Sequence, residues 1–172
     1  TIINTLNLEN NNFVLATIHR QENTEDIEKL KSIFEGLEEI SKTKKVVLPL
    51  HPRTKSVLEK HNLSYNITFI DPIGYFDMLE LLKNCNLVIT DSGGLQKEAY
   101  FNQKHCIITR DETEWIELVS NGFASIIGSS KEKMKTAFNN YQKSKVDFSK
   151  NLYGNNVGEN IHNEIIKLLE EK

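Results

Sequence analysis

Little in this 172-residue chain belongs to a disulfide scaffold, a membrane protein or a nucleic-acid binder. Cysteine occurs only twice, as Cys85 and Cys106, far apart and each beside an apolar run. Buried free thiols in a reducing, cytoplasmic compartment are therefore expected. Neither cysteine has metal-ligand spacing, and no His/Cys/Asp cluster has the spacing of a zinc site, so no metal is expected. No apolar run approaches the roughly 20 residues of a membrane-spanning helix, which argues against a membrane partner. Charge of one sign is lacking too: 21 Lys and Arg against 24 Asp and Glu leave a net charge of -3. A basic face able to grip nucleic acid is not indicated. Thr1 to Asn12 is polar, unlike a signal peptide, and the chain does not begin with Met. That reads as a processed product or a piece of something longer.

Three prolines and eight glycines leave no low-complexity linker, and neither an internal repeat nor a second domain boundary is visible. Glycine is also missing where two common nucleotide sites require it. The first strand runs into His19-Arg20, not Gly-x-Gly-x-x-Gly, and there is no Walker lysine pattern. A Gly-x-Ser-x-Gly nucleophile elbow is absent as well.

What remains is an ordinary globular composition, 38% hydrophobic and 26% charged, long enough for one α/β domain with a full core. Strands are expected at 13–17, 45–50, 66–70, 87–90, 105–109 and 123–127. Helical stretches lie between them. Ile27, Leu30, Ile33, Leu37 and Ile40 share one helical face, with Asn23 or Thr24 as its cap. Pro52 suits a first helical turn, and helices follow at 75–84 and from the glycine turn to about Phe101. Asp111 and Glu114 have capping-box spacing before a helix that carries Trp115. Further helices run from about Ser130 to Tyr141 and from Val157 to Glu171. Six strands alternating with helices predict a Rossmann-like parallel sheet covered on both faces.

One stretch stands out, Leu87-Val88-Ile89-Thr90-Asp91-Ser92-Gly93-Gly94-Leu95-Gln96-Lys97-Glu98-Ala99. It reads as a strand, a tight glycine turn and a helix N-terminus, where unpaired N–H groups and the helix dipole favour an anion. Glu98 lies one turn in from Gly94 on the same face. Phosphate on the turn and ribose hydroxyls on Glu98 would make a nucleotide site. If the strand order is the doubly wound 3-2-1-4-5-6, strands one and four meet at the switch point. His19 and the Ser92-Gly93-Gly94 turn then converge. His19 suits a phosphate contact or leaving-group assistance near neutral pH, and Arg20 suits a bidentate phosphate contact. Glu22 and Asn23 read as loop and cap residues. His51 reads equally as a buried imidazole at a helix start or as a ligand contact. Trp115 is most simply a packed residue of a capped helix, although a rim position would lay it against a sugar or base.

Together these pieces resemble the UDP-N-acetylglucosamine 2-epimerase family. The resemblance is carried by Thr17-Ile18-His19-Arg20-Gln21-Glu22-Asn23, His51-Pro52-Arg53-Thr54, Pro72 to Tyr75, Thr90 to Ala99, Arg110-Asp111-Glu112-Thr113-Glu114-Trp115 and Tyr153-Gly154. They occur in family order and match the family's carboxyl-terminal half, that is, one half of a glycosyltransferase-B-type two-domain fold. The resemblance implies interconversion of UDP-GlcNAc and UDP-ManNAc, or of a related 2-acetamido UDP-sugar, by elimination and re-addition of UDP, with no cofactor. It implies that His19 assists catalysis, that Ser92, Gly93 and Gly94 hold the diphosphate, and that Glu98 holds the ribose. Ile73 and Met78 match the uracil contacts, and Arg20 and His51 match positions that bind a second UDP-sugar in some bacterial members. Trp115 stands where many members have an arginine contacting the diphosphate. The Asp-Glu-Thr-Glu-Trp segment resembles a branch that includes epimerases of diacetamido-uronic acid nucleotides. The family's catalytic carboxylates belong to the amino-terminal domain, so this chain alone is expected to be inactive, and the full-length enzyme is expected to be a homodimer. A hydrolysing epimerase and a non-catalytic UDP-sugar-binding module are the alternatives.

Overall fold

Strands built of apolar and β-branched residues on both faces are stable only when both faces are covered, and Phe13–Thr17 and Leu87–Thr90 are buried throughout. The computed structural model describes residues 1–143 and 146–170. A short helix α1 (Ile2–Thr5) precedes β1 (Phe13–Thr17), which is followed by α2 (Gln21–Thr24) and α3 (Ile27–Ser41). Next come β2 (Lys45–Pro49), α4 (Pro52–Lys60), β3 (Thr68–Ile70), α5 (Tyr75–Asn84), β4 (Leu87–Thr90) and α6 (Gly93–Phe101). The chain continues through β5 (Cys106–Ile108), α7 (Ile116–Ser120), β6 (Ala124–Ile126), α8 (Lys131–Lys143) and α9 (Val157–Glu170). Glu171, the expected end of the last helix, lies outside the described residues.

All five strand pairings are parallel and the order is β3-β2-β1-β4-β5-β6, the doubly wound arrangement expected from the alternation. Alternating residues divide the core in two. Val14, Ala16, Val46, Leu48, Leu87, Ile89 and Ile107 face α3, α4 and α8, where Leu30, Ile33, Phe34, Leu37, Leu58 and Met134 meet them. Phe13, Leu15, Val47, Val88, Cys106 and Ile108 face the other layer, against Leu81, Leu82, Ala99, Tyr100 and Leu118. At the α3–α8 contact Gly36 comes so close to Met134 that a β-carbon there would lie 2.8 Å from its sulfur.

Three local expectations are corrected. Asn23 and Thr24 do not cap the long helix: they end α2, a separate turn, and Asp26 caps α3 by accepting the N–H groups of Glu28 and Lys29 at 3.0 and 3.1 Å. Asp111 and Glu114 do not form a capping box, because α7 begins only at Ile116 with Trp115 as its N-cap. Glu114 is instead drawn to Arg110, and Asp111 to Lys29. The polar lead-in contains α1, whose Ile2 and Ile3 pack on the second core. Among the described residues no helix is long and apolar enough to cross a membrane. The terminal helix α9 leaves Ile161, Ile165, Leu168 and Leu169 exposed along one side.

Candidate nucleotide-binding site

Parallel pairing of β1 with β4, with Thr17 opposite Thr90, ends both strands at one level. The Thr17 and Thr90 hydroxyls share a buried hydrogen bond of 2.6 Å. The loops that leave these strand ends form the crevice that a doubly wound sheet offers to ligands. A cleft of about 350 Å³ lies there, lined by His19, His51, Ile73, Met78, Ser92, Gly94 and Glu98, together with Thr17, Pro49 and Leu95. The structure thus brings together, around one cavity, side chains from loops separated by dozens of residues.

The glycine turn builds one wall. Ser92 caps α6, its extended backbone turning the chain and its hydroxyl accepting the Leu95 N–H at 3.5 Å. The Ser92 N–H is itself held by the Thr90 hydroxyl at 2.9 Å. The opening N–H groups of α6 have no acceptor within the helix, and a β-carbon at Gly94 would meet nothing within 4 Å. That opening, at the positive end of a helix dipole, suits an anion. Glu98 lies one turn further along the same wall.

Gly93 is placed differently from Gly94. It is not among the residues lining the cleft, and a β-carbon on it would point to Glu114 Oε2 at 3.2 Å and Arg20 Nη2 at 3.5 Å. Its carbonyl accepts the Trp115 indole N–H at 2.7 Å. Trp115 therefore packs behind the turn rather than along the cleft, with the Lys97 ammonium 4.1 Å from its ring centroid and 4.3 Å from that of Tyr153. Arg110 anchors the same region from below. It is nearly buried and bonds Glu22 at 2.9 Å and Glu114 at 2.9 and 2.8 Å. Arg20 lies beside this network and is likewise not among the cleft-lining residues.

The opposite wall carries the imidazoles. His19 and His51 have ring centroids 5.4 Å apart. His51 starts α4, its Nδ1 accepting the Arg53 N–H at 3.2 Å as the cap, and its ring lines the cleft. It is exposed, however, which corrects the expectation of a buried imidazole. Arg53 also donates to the His19 carbonyl at 3.3 Å. Partial burial lowers the His19 pKa below its ordinary value; Asp91 opposes that shift, and His51, Arg20 and Arg53 add to it. The balance favours the neutral imidazole over the imidazolium.

Two residues with clear structural duties were not assigned them from sequence. Asp91, fully buried, accepts hydrogen bonds from the first loop. Asn23, also buried, bridges Asp91 Oδ2 and the Thr109 carbonyl at 3.0 Å each. An acidic residue directly after a wholly buried, apolar or β-branched central strand is the available signal.

Comparison with known proteins places this geometry. A UDP-2,3-diacetamido-2,3-dideoxy-D-glucuronate 2-epimerase from Pseudomonas aeruginosa is 50% identical over 121 residues, 70% of this chain and 34% of that protein. The structure of a UDP-GlcNAc 2-epimerase from Methanocaldococcus jannaschii superposes with a TM-score of 0.86 at 37% identity, covering 99% of this chain and 48% of the other. The same organism's enzyme in complex with UDP-GlcNAc and UDP gives 0.81 at 38% identity, covering 93% and 45%. The chain thus spans half or less of the length of these relatives, and its fold is the expected Rossmann-like half of a glycosyltransferase-B-type architecture. A match to the family of UDP-N-acetylglucosamine 2-epimerases extends over residues 1–169, and to that family the chain belongs.

Proposed function

We propose that this chain is the nucleotide-binding half of a cytoplasmic UDP-sugar 2-epimerase. It acts with an amino-terminal domain, in an enzyme that functions as a homodimer. Its substrates are UDP-GlcNAc and UDP-ManNAc or a related 2-acetamido UDP-sugar, diacetamido-uronates among them, as the Pseudomonas relative suggests. The observation that carries this reading is the single cleft in which His19, the open start of α6 and Glu98 meet.

In the reaction a base removes the C2 proton, and the C1–O bond breaks with its electron pair leaving on UDP. A glycal forms, which is re-protonated on the other face and regains UDP at C1. This chain's part is to hold the leaving group. Negative charge grows on the diphosphate as C1–O breaks, and the Ser92 hydroxyl, the N–H groups of Gly93 and Gly94 and the α6 dipole stabilise it. Glu98 accepts from the ribose hydroxyls, while Ile73 and Met78 border the base. His19 gains a proton more readily once the diphosphate lies beside it, and then donates to a phosphate oxygen. The groups that move the C2 proton belong to the other half. The 172 residues alone are therefore inactive.

Calorimetric titration tests the assignment. Glu98→Ala should weaken UDP binding about tenfold or more, the value of a hydrogen bond to a charged group, while leaving inorganic phosphate binding unchanged. Equal losses for the two ligands would remove Glu98 from the ribose. Robust epimerisation by the isolated chain would refute the division of labour.

A further inference from the structure

The exit of β4 puts a carboxylate in a place where water does not reach. Asp91 is 0% exposed, and a buried carboxylate is costly unless its lone pairs are met. Here they are met almost entirely by one turn. Oδ2 accepts the backbone N–H groups of His19 and Arg20 at 2.9 Å each, and the Asn23 amide at 3.0 Å. Oδ1 accepts the His19 N–H at 3.1 Å and lies 3.5 Å from Nδ1 of the same residue's ring. The Asp91 N–H returns to the Thr17 carbonyl at 3.3 Å. A neutral acceptor would satisfy the main-chain donors. The contact to the ring nitrogen is the one that gains from charge.

We propose that Asp91 is the positioning residue of His19: it fixes the turn that carries the imidazole and holds its Nδ1 edge, so that Nε2 is the nitrogen offered to the substrate's diphosphate. The proposal rests on the UDP-sugar reading above. A histidine's two nitrogens are made distinct by the partner of one of them, and a buried carboxylate at an ion-pair distance of 3.5 Å from Nδ1 favours the tautomer that carries its proton there. The other charged or titratable groups facing His19 are His51 and Arg53 from the start of α4 and Arg20 from its own turn. All three disfavour an imidazolium, and Asp91 alone of the four favours it. With a diphosphate bound, the ring lies between two anions, one at each nitrogen.

Histidine side-chain ¹⁵N spectra of the labelled chain, titrated from pH 5 to 8 and assigned with His19→Gln, test this without turnover. Neutral His19 should be the Nδ1–H tautomer. In Asp91→Asn, which keeps the shape and removes the charge, the His19 pKa should fall, the tautomer preference should be lost, and UDP affinity at pH 6.5 should drop about tenfold. A wild-type His19 found as the Nε2–H tautomer overturns the proposal, even if Asp91→Asn does not fold. So does a folded Asp91→Asn with an unchanged His19 titration. An Nδ1–H tautomer in a chain that ignores UDP removes the nucleotide reading, and with it the diphosphate half of the proposal. The wrong tautomer with intact UDP binding removes the role of Asp91 alone.

Discussion

Gly36 lies in the middle of α3, where a glycine normally costs about 1 kcal/mol relative to alanine. On propensity alone Gly36→Ala should stabilise the protein. The packing reverses that sign. The new β-carbon would sit 2.8 Å from the Met134 sulfur and 3.4 Å from its terminal methyl, and Met134, on α8, is fully buried. The first distance is well inside van der Waals contact, so the thioether must move, within a core that leaves Met134 no exposed surface to move into. Overpacking of this kind costs about 1–3 kcal/mol. Set against the propensity gain, a net destabilisation of about 1 kcal/mol is expected, read from urea denaturation as a lower midpoint at unchanged slope. Met134→Ala removes the obstacle at its own cavity cost of about 2–5 kcal/mol. In that background Gly36→Ala should recover its propensity gain, giving a coupling of about 2 kcal/mol across the cycle. A stabilised single Gly36→Ala variant, or additive effects within about 0.3 kcal/mol, would refute the claim that Met134 dictates glycine here.

Two other groups make the interior testable. His105 stacks on Tyr141 at 5.3 Å and meets the Ser125 hydroxyl at 3.2 Å, and burial lowers its pKa from 6.5 to about 4. Between those values the unfolded chain binds the proton that the folded chain refuses, so stability rises with pH there and levels off above it. Relative to His105→Gln, the wild type should lose about 3 kcal/mol between pH 7 and pH 4; parallel stability curves for the two proteins would contradict that. Burial also pushes the Cys85 thiol up to about 12 and the Cys106 thiol higher still. Neither should react with a disulfide reagent at pH 8 until urea unfolds the chain, and rapid native labelling would show that the core opens there.

The fold was legible because its signals are long and redundant. Every residue of β1 and β4 is apolar or β-branched, and a chain that alternates such runs with amphipathic helices has few ways to cover both faces. The strand order then followed, and with it the meeting of His19 with the glycine turn. What escaped was decided by contacts between distant loops. Asn23 has the chemistry of a helix cap, and Asp26, three residues on, took that place because Asn23 is sequestered between Asp91 and the Thr109 carbonyl. Asp111 and Glu114 have the spacing of a capping box, yet Arg110 claims Glu114 and delays the helix to Ile116. Trp115 was open to either a packed or a rim position. Only the hydrogen bond from its indole to Gly93 settles it behind the turn. In each case local propensity was overruled by a partner that spacing along the chain does not reveal.

The register of β1 against β4 also has a kinetic side. The two hydroxyls that seal the floor of the cleft, on Thr17 and Thr90, are 73 residues apart, and no hairpin brings their strands together. A large loop must close before either wall has an opposite number, which makes the binding crevice among the slower parts of the chain to form. During synthesis a ribosome must release Glu98 before any cleft can exist. A nucleotide that touches both walls would bind the finished pairing and not the open chain, holding shut a contact that is slow to make.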